Sequence, residues 1–194
     1  MGKKTEVLIQ ELDAMIQNLE DYVLDQTLFK TITVFGSRSN RLIKMTLGSI
    51  LERIHELERM GENNERLQLI HRAKNALSRE EVRQPQAFVA LLARETKSYT
   101  DSWAWFLQNC WQEDADCAAD YKQEVGLRLR LEYLLQYGGH HTELADSRKK
   151  IHLLDQRLGS IWKKSHSPIL GSPTTFPSET YWWLYGRPSA QKSH

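Results

Sequence analysis

Apolar residues recur at three- and four-residue steps along most of this chain. Val7, Leu8, Leu12, Ile16, Leu19 and Val23 share one helical face, and Glu6, Glu11, Asp13, Glu20 and Asp21 make the other acidic, so the spacing predicts a helix over residues 5–24. Leu47, Ile50, Leu51, Ile54 and Leu57 predict a second helix stopping near Met60-Gly61, glycine being common just past a helix end. A third helix is read over residues 64–77, after which Ser78-Arg79-Glu80-Glu81 reads as a capping box for a short turn. Pro85 suits the first position of a long fourth helix carrying Phe88, Leu91, Leu92, Tyr99, Trp103, Phe106, Leu107, Cys110 and Trp111. Glu113, Asp114 and Asp116 suit the positive end of a fifth helix dipole. That helix carries Tyr121, Val125, Leu131, Leu134 and Leu135 and stops at Gly138-Gly139. A sixth, over residues 143–164, turns Ile151, Leu154, Leu158 and Ile161 inward.

Two stretches depart from this pattern. Residues 27–40 contain Phe29-Lys30-Thr31-Ile32-Thr33-Val34-Phe35, a β-branched and aromatic run closed by Gly36-Ser37. A lone strand makes no sheet, so an extended connector lying on the helices is expected. Residues 165–178 are rich in Ser, Thr, Pro and Gly, where helix formation fails; Tyr181-Trp182-Trp183-Leu184-Tyr185-Gly186-Arg187-Pro188 follows. The expected fold is an all-α bundle of five or six helices over residues 1–164, with a Ser/Thr/Pro-rich strap and an extended aromatic C-terminal tail over residues 165–194. No internal repeat is visible.

Charge and cysteine content narrow the class. The formal net charge is +1, so no bulk field draws the chain to nucleic acid or anionic lipid. Cys110 and Cys117 on one helix would stand about 10 Å apart at 1.5 Å per residue. A disulfide needs Cα atoms within about 7 Å, so the pair is expected to stay reduced unless the chain breaks between them. No apolar run approaches the roughly 18 residues of a membrane span. Gly2 fits a myristoylation site, but Glu6 stands where that motif wants Ser or Thr. With no apolar signal segment at the N-terminus, the cytoplasm is the expected location.

Several groupings carry candidate chemistry. Glu52-Arg53-Ile54-His55 has the Glu-x-x-His spacing of di-metal helical bundles. At 100° per residue, however, Glu52 turns away from the apolar face, and no second copy of the pattern exists. Gly138-Gly139-His140-His141-Thr142-Glu143 gathers two imidazoles and a carboxylate, but a metal centre wants three or four convergent ligands, and an inter-helix turn explains the residues. Gly36-Ser37-Arg38-Ser39-Asn40 reads equally as an anion cradle or a linker. No phosphate loop, nucleophile elbow or zincin motif is present. No cofactor, metal or catalytic residue is therefore assigned, and enzymatic activity is not expected.

Lys150, Arg157 and Lys164, seven apart, line one edge of the sixth helix, thickened by Arg148, Lys149 and Lys163. They are the candidate nucleic-acid contacts, although long basic stems also cover the edge of an apolar stripe. Trp105 lies almost opposite Trp103 on the fourth helix. It reads either as the second apolar side of a central helix or as part of a binding surface. Trp182, Trp183 and Tyr185 are too apolar to be left in water. Either they fold back on the chain's own core or, with Arg187 on an acidic rim, they dock on a second chain.

Tyr22-Val23-Leu24, Thr27-Leu28-Phe29, Thr46-Leu47-Gly48 and the closing string from Tyr181 to Pro188 resemble a bacterial all-helical family of no assigned activity. The resemblance implies a helical fold and no site residue. Residues 82–92, Val-Arg-Gln-Pro-Gln-Ala-Phe-Val-Ala-Leu-Leu, are similar to a helix-opening segment of some replication-initiator and DNA-binding proteins. The leading expectation is a non-catalytic interaction or scaffold protein whose partner is another protein or a second copy, with no membrane partner. A nucleic-acid-binding accessory that binds weakly comes second, and a metal-dependent helical-bundle enzyme a distant third.

Overall fold

The computed structural model describes residues 3–36, 40–61, 63–111 and 117–189. The chain is mostly helical, with seven α-helices among these residues: α1 (Lys3–Gln17), α2 (Leu19–Asp25), α3 (Leu47–Glu58), α4 (Asn64–Arg83), α5 (Pro85–Trp111), α6 (Cys117–Tyr137) and α7 (Ala145–Ser160). Four short strands make two antiparallel pairs: β1 (Lys30–Val34) with β2 (Arg41–Met45), and β3 (Trp162–Lys164) with β4 (Gly186–Pro188). No helix among the described residues is long and apolar enough to cross a membrane. The chain forms two compact units, one of Met1–Glu95 with Gln136–Glu143, the other of Thr96–Leu135 with Leu144–His194.

In the first unit α1, α3 and α4 pack on one another, and α2 lies on α4. The helix expected over residues 5–24 is two helices, because the Asn18 side-chain amide donates to the Ala14 carbonyl at 2.9 Å. Such local bonds compete with the helical ladder. The extended connector expected over residues 27–40 is instead one arm of a hairpin, running in register from Lys30 opposite Met45 to Val34 opposite Arg41. Ile32, Val34 and Met45 turn inward, while Thr31, Thr33 and Leu42 face out. Ser37, Arg38 and Ser39 of the suggested anion cradle lie outside the described residues.

Helix α3 starts at a true capping box. Thr46 accepts from the Ser49 N–H, and the Ser49 hydroxyl accepts from the Thr46 N–H. The box expected at Ser78 caps nothing: α4 runs unbroken through it, because Ala73, Ala76, Leu77 and Glu80 continue one buried face. Pro85 sets the boundary, since the residue before a proline avoids helical geometry. Gln84 duly takes φ −136° and ψ 59°.

The second unit is built around aromatic rings. Trp103 stacks on Phe106 at 5.5 Å between centroids, and Tyr121 meets Trp162 edge-on at 5.5 Å. The sixth helix expected to reach Lys164 stops at Ser160, and Trp162–Lys164 is a strand. Lys163 pairs with Arg187 in the register of β3 and β4. Gly186 has φ +156°, and a Cβ there would meet the Lys163 carbonyl oxygen and the Trp162 ring. The tail thus folds back. Trp183, Leu184 and Tyr185 are buried, Tyr121 donates its hydroxyl to the Trp183 carbonyl at 2.6 Å, and Tyr185 donates to the Phe176 carbonyl at 2.6 Å.

Cys110 and Cys117 form a disulfide, with Cα atoms 5.4 Å apart. This corrects the expectation of a reduced pair. A Cα separation of 5.4 Å is about half of what seven residues of one unbroken helix would impose.

Candidate functional site

Two places gather functional side chains. The first is the seam between α5 and α7, within the second unit. Lys150 on α7 reaches Asp101 on α5 at 2.6 Å, and the Arg157 guanidinium lies 3.7 Å from the centre of the Trp111 ring. Both residue numbers rise together along these two contacts, so the helices run parallel. Asp101 also accepts from Lys97 at 2.8 Å. Hydrogen bonds from Lys150 and Lys97 hold its carboxyl below the usual range, against a smaller upward push from burial.

The contacts fix which way the neighbouring side chains turn. At about 100° per residue, Trp105 stands roughly 80° round α5 from the direction of α7. Leu153 stands roughly 50° round α7 from the direction of α5, in the opposite sense. In two parallel helices these rotations point to the same side, and it is the side away from Trp103, Leu107, Ile151 and Leu158, which are buried. Trp105 is 67% exposed and Leu153 52% exposed. Around them Lys97, Lys149, Lys150 and Arg157 outnumber Asp101 and Asp146.

The residues singled out from sequence thus separate. Lys150 and Arg157 border this seam, each already resting on a neighbour, whereas Lys164 is in β3 beyond the end of α7. Trp105 is at the seam. Trp182 packs edge-on against Trp162 at 5.5 Å, Trp183 and Tyr185 are buried, and Arg187 is exposed in β4. Leu153 stands outside the inward set of Ile151, Leu154, Leu158 and Ile161, and a single leucine beside such a stripe carries no binding signal of its own.

The second place lies in the first unit, where the last turn of α4 meets the turn after α6. Gly138 and Gly139 carry no side chains, and the chain closes tightly there, the His141 N–H donating to the Gly138 carbonyl at 2.9 Å. The turn aims His140 Nε2 and His141 Nε2 at one oxygen, Glu81 Oε1, at 3.0 and 2.9 Å. Tyr137 donates its hydroxyl to the other oxygen, Glu81 Oε2, at 2.8 Å. Burial pushes the Glu81 carboxyl up, but the bonds from Tyr137, His140 and His141 outweigh it and hold the group below its ordinary value. Glu81, His140 and His141 each offer a ligand atom, all within 4.8 Å of one another. The carboxylate is Glu81 rather than the neighbouring Glu143 of the sequence reading; Glu143 is exposed in a 3₁₀ turn.

The Glu52 and His55 pair goes to separate partners. Glu52 holds Arg53 at 2.6 Å, and His55 Nδ1 lies 3.1 Å from Glu58. Glu113, Asp114 and Asp116 lie outside the described residues. Comparison with protein-family models, with curated proteins and with solved structures finds no match to this chain.

Proposed function

We propose that this is a non-catalytic interaction protein whose second unit binds a protein segment with an apolar anchor flanked by acidic residues. The observation that carries the reading is the paired exposure of Trp105 and Leu153 on one side of the α5–α7 seam. Large aromatic side chains are the usual energetic anchors of protein interfaces. The excess of Lys97, Lys149, Lys150 and Arg157 over Asp101 and Asp146 supports an acidic flank on the partner. A nucleic acid would meet the same cations and could stack a base on Trp105, but it makes no use of the exposed Leu153 beside it.

Selection from a displayed peptide library tests this. Enriched peptides are expected to place a Phe, Leu or Trp among Asp or Glu residues. Trp105→Ala should weaken them by about 2 kcal/mol or more, roughly thirtyfold. No enrichment, or peptides that bind a Trp105→Ala, Leu153→Ser variant equally well, would overturn the reading. Tight oligonucleotide binding that survives physiological salt would move the function to nucleic acid.

A further inference from the structure

The cluster at Glu81 is not explained as surface electrostatics. One carboxylate oxygen receives two adjacent imidazoles through the same ring atom of each, while a tyrosine holds the second oxygen. A solvated ion pair needs one partner; convergence of this kind is what a metal ion requires of its ligands. The geometry points to a binding site for Zn²⁺ formed by His140 Nε2, His141 Nε2 and the Glu81 carboxylate, with water completing a tetrahedron.

The distances suit the ion. Zinc bonds of about 2.0–2.1 Å set neighbouring tetrahedral ligand atoms about 3.3 Å apart. The Nε2-to-Oε1 separations are 3.0 and 2.9 Å and all three ligand atoms lie within 4.8 Å of one another. Loading the ion therefore needs each ring to draw back a few tenths of an ångström from the oxygen and to turn its Nε2 toward the shared centre. To ligate, each imidazole carries its proton on Nδ1 and offers the Nε2 lone pair. The two hydrogen bonds to Oε1 are replaced by bonds through the metal. The donor set is nitrogen-rich, which suits Zn²⁺ and disfavours Mg²⁺ and Ca²⁺, whose ligands are oxygens.

A supporting shell is in place. Tyr137 fixes the carboxylate through Oε2, and its own ring lies 6.0 Å from that of buried Phe88. Partners of this kind orient a ligand and are themselves worth about 10–100-fold in metal affinity. The His140 side chain is 64% exposed, so a water-filled fourth position is open to solvent. The site would clip the turn after α6 to the end of α4.

The test is a zinc titration of the chelator-stripped full chain against a chromophoric competitor, with Co²⁺ absorption as a second readout. One ion per chain is expected, with uptake fading in acid because a protonated imidazole cannot ligate. The His140→Ala, His141→Ala variant should lose about 100-fold or more in affinity, and Tyr137→Phe about tenfold. His152→Ala, on α7, should change nothing. Glu81→Gln should weaken binding, with circular dichroism to show that it remains folded; if it unfolds, the double histidine variant, one ring of which is mostly exposed, decides. Absence of uptake by the parent chain would overturn the proposal. So would undiminished uptake by the double variant, or loss of uptake in His152→Ala.

Discussion

Arg128 is 3% exposed and bridges three parts of the second unit. It donates to Glu132 at 2.8 Å and to Asp155 at 3.0 Å, and its guanidinium lies 4.7 Å from the Trp183 ring centre. Burial lowers its pKa, yet the two carboxylates outweigh burial and keep it above the ordinary value. Removing one partner of a buried pair leaves the other charge uncompensated. Arg128→Met is therefore expected to cost about 3–5 kcal/mol, read as a lower urea midpoint. Arg128→Lys should recover only part of this, because an ammonium cannot span two carboxylates as a planar fork does. A full recovery would assign the effect to charge alone. Glu81 gives the matching acid-side expectation. Its carboxyl is held low in the folded state, so it contributes stability above the unfolded value of about 4.3. That contribution is lost as pH falls through the folded value. A plot of melting temperature against pH should accordingly be flatter on its acid limb for Glu81→Gln than for the parent; parallel limbs would contradict the assignment. The sequence showed His140 and His141 as a pair in a loop but not their carboxylate. Glu81 lies 60 positions from His141, and only the closure of the first unit brings it there.

The helices themselves were legible, because the 3.6-residue period survives wherever one face is buried. Boundaries failed where a side chain or a distant strand intervened. Asn18 splits α1 from α2 with a bond of its own, and β2 hides behind Arg41 and Lys44, which break the apolar alternation of Arg41-Leu42-Ile43-Lys44-Met45. The N-terminus of α3 shows a further element-scale feature that no local pattern reveals. Glu95, 1% exposed, accepts from the Leu47 and Gly48 N–H groups, both at 2.8 Å. A carboxylate there meets two orphan donors and the positive end of the helix dipole. Glu95→Ala should destabilise by at least about 2 kcal/mol, because both donors stay buried without an acceptor. Glu95→Gln should fall between it and the parent, since one amide oxygen replaces two carboxylate oxygens. Equal midpoints for all three in urea would remove Glu95 from this role. At the other end of the chain, the aromatic tail was legible as buried material, but not as a strand. Its partner β3 reads in the sequence as the last turn of the helix expected over residues 143–164, and neither three-residue strand has a pattern of its own.

At the scale of the molecule the disulfide is the strongest covalent constraint. Closing so short a loop is worth about 2.5 kcal/mol in chain entropy. Reduction should then lower the melting temperature by about 5–10 °C in a chain of this size. The Cys110→Ser, Cys117→Ser variant should match the reduced protein and ignore reductant; a parent that melts identically with and without reductant would contradict this. In a reducing cytoplasm such bonds do not usually persist, and the molecule there would work at the lower stability. The order of segments carries a further consequence. The chain completes the first unit only by returning to it at residues 136–143, after much of the second has been made. The second, in turn, gains the Trp183 carbonyl that receives the Tyr121 hydroxyl 62 residues later. Neither is a continuous piece of polypeptide, so no single proteolytic or genetic cut releases either whole. During synthesis, Trp103 and Tyr121 leave the ribosome long before Trp183 can join them. That interval, with aromatic surface uncovered and no native partner yet translated, is when the nascent chain is most open to chaperone capture and to aggregation.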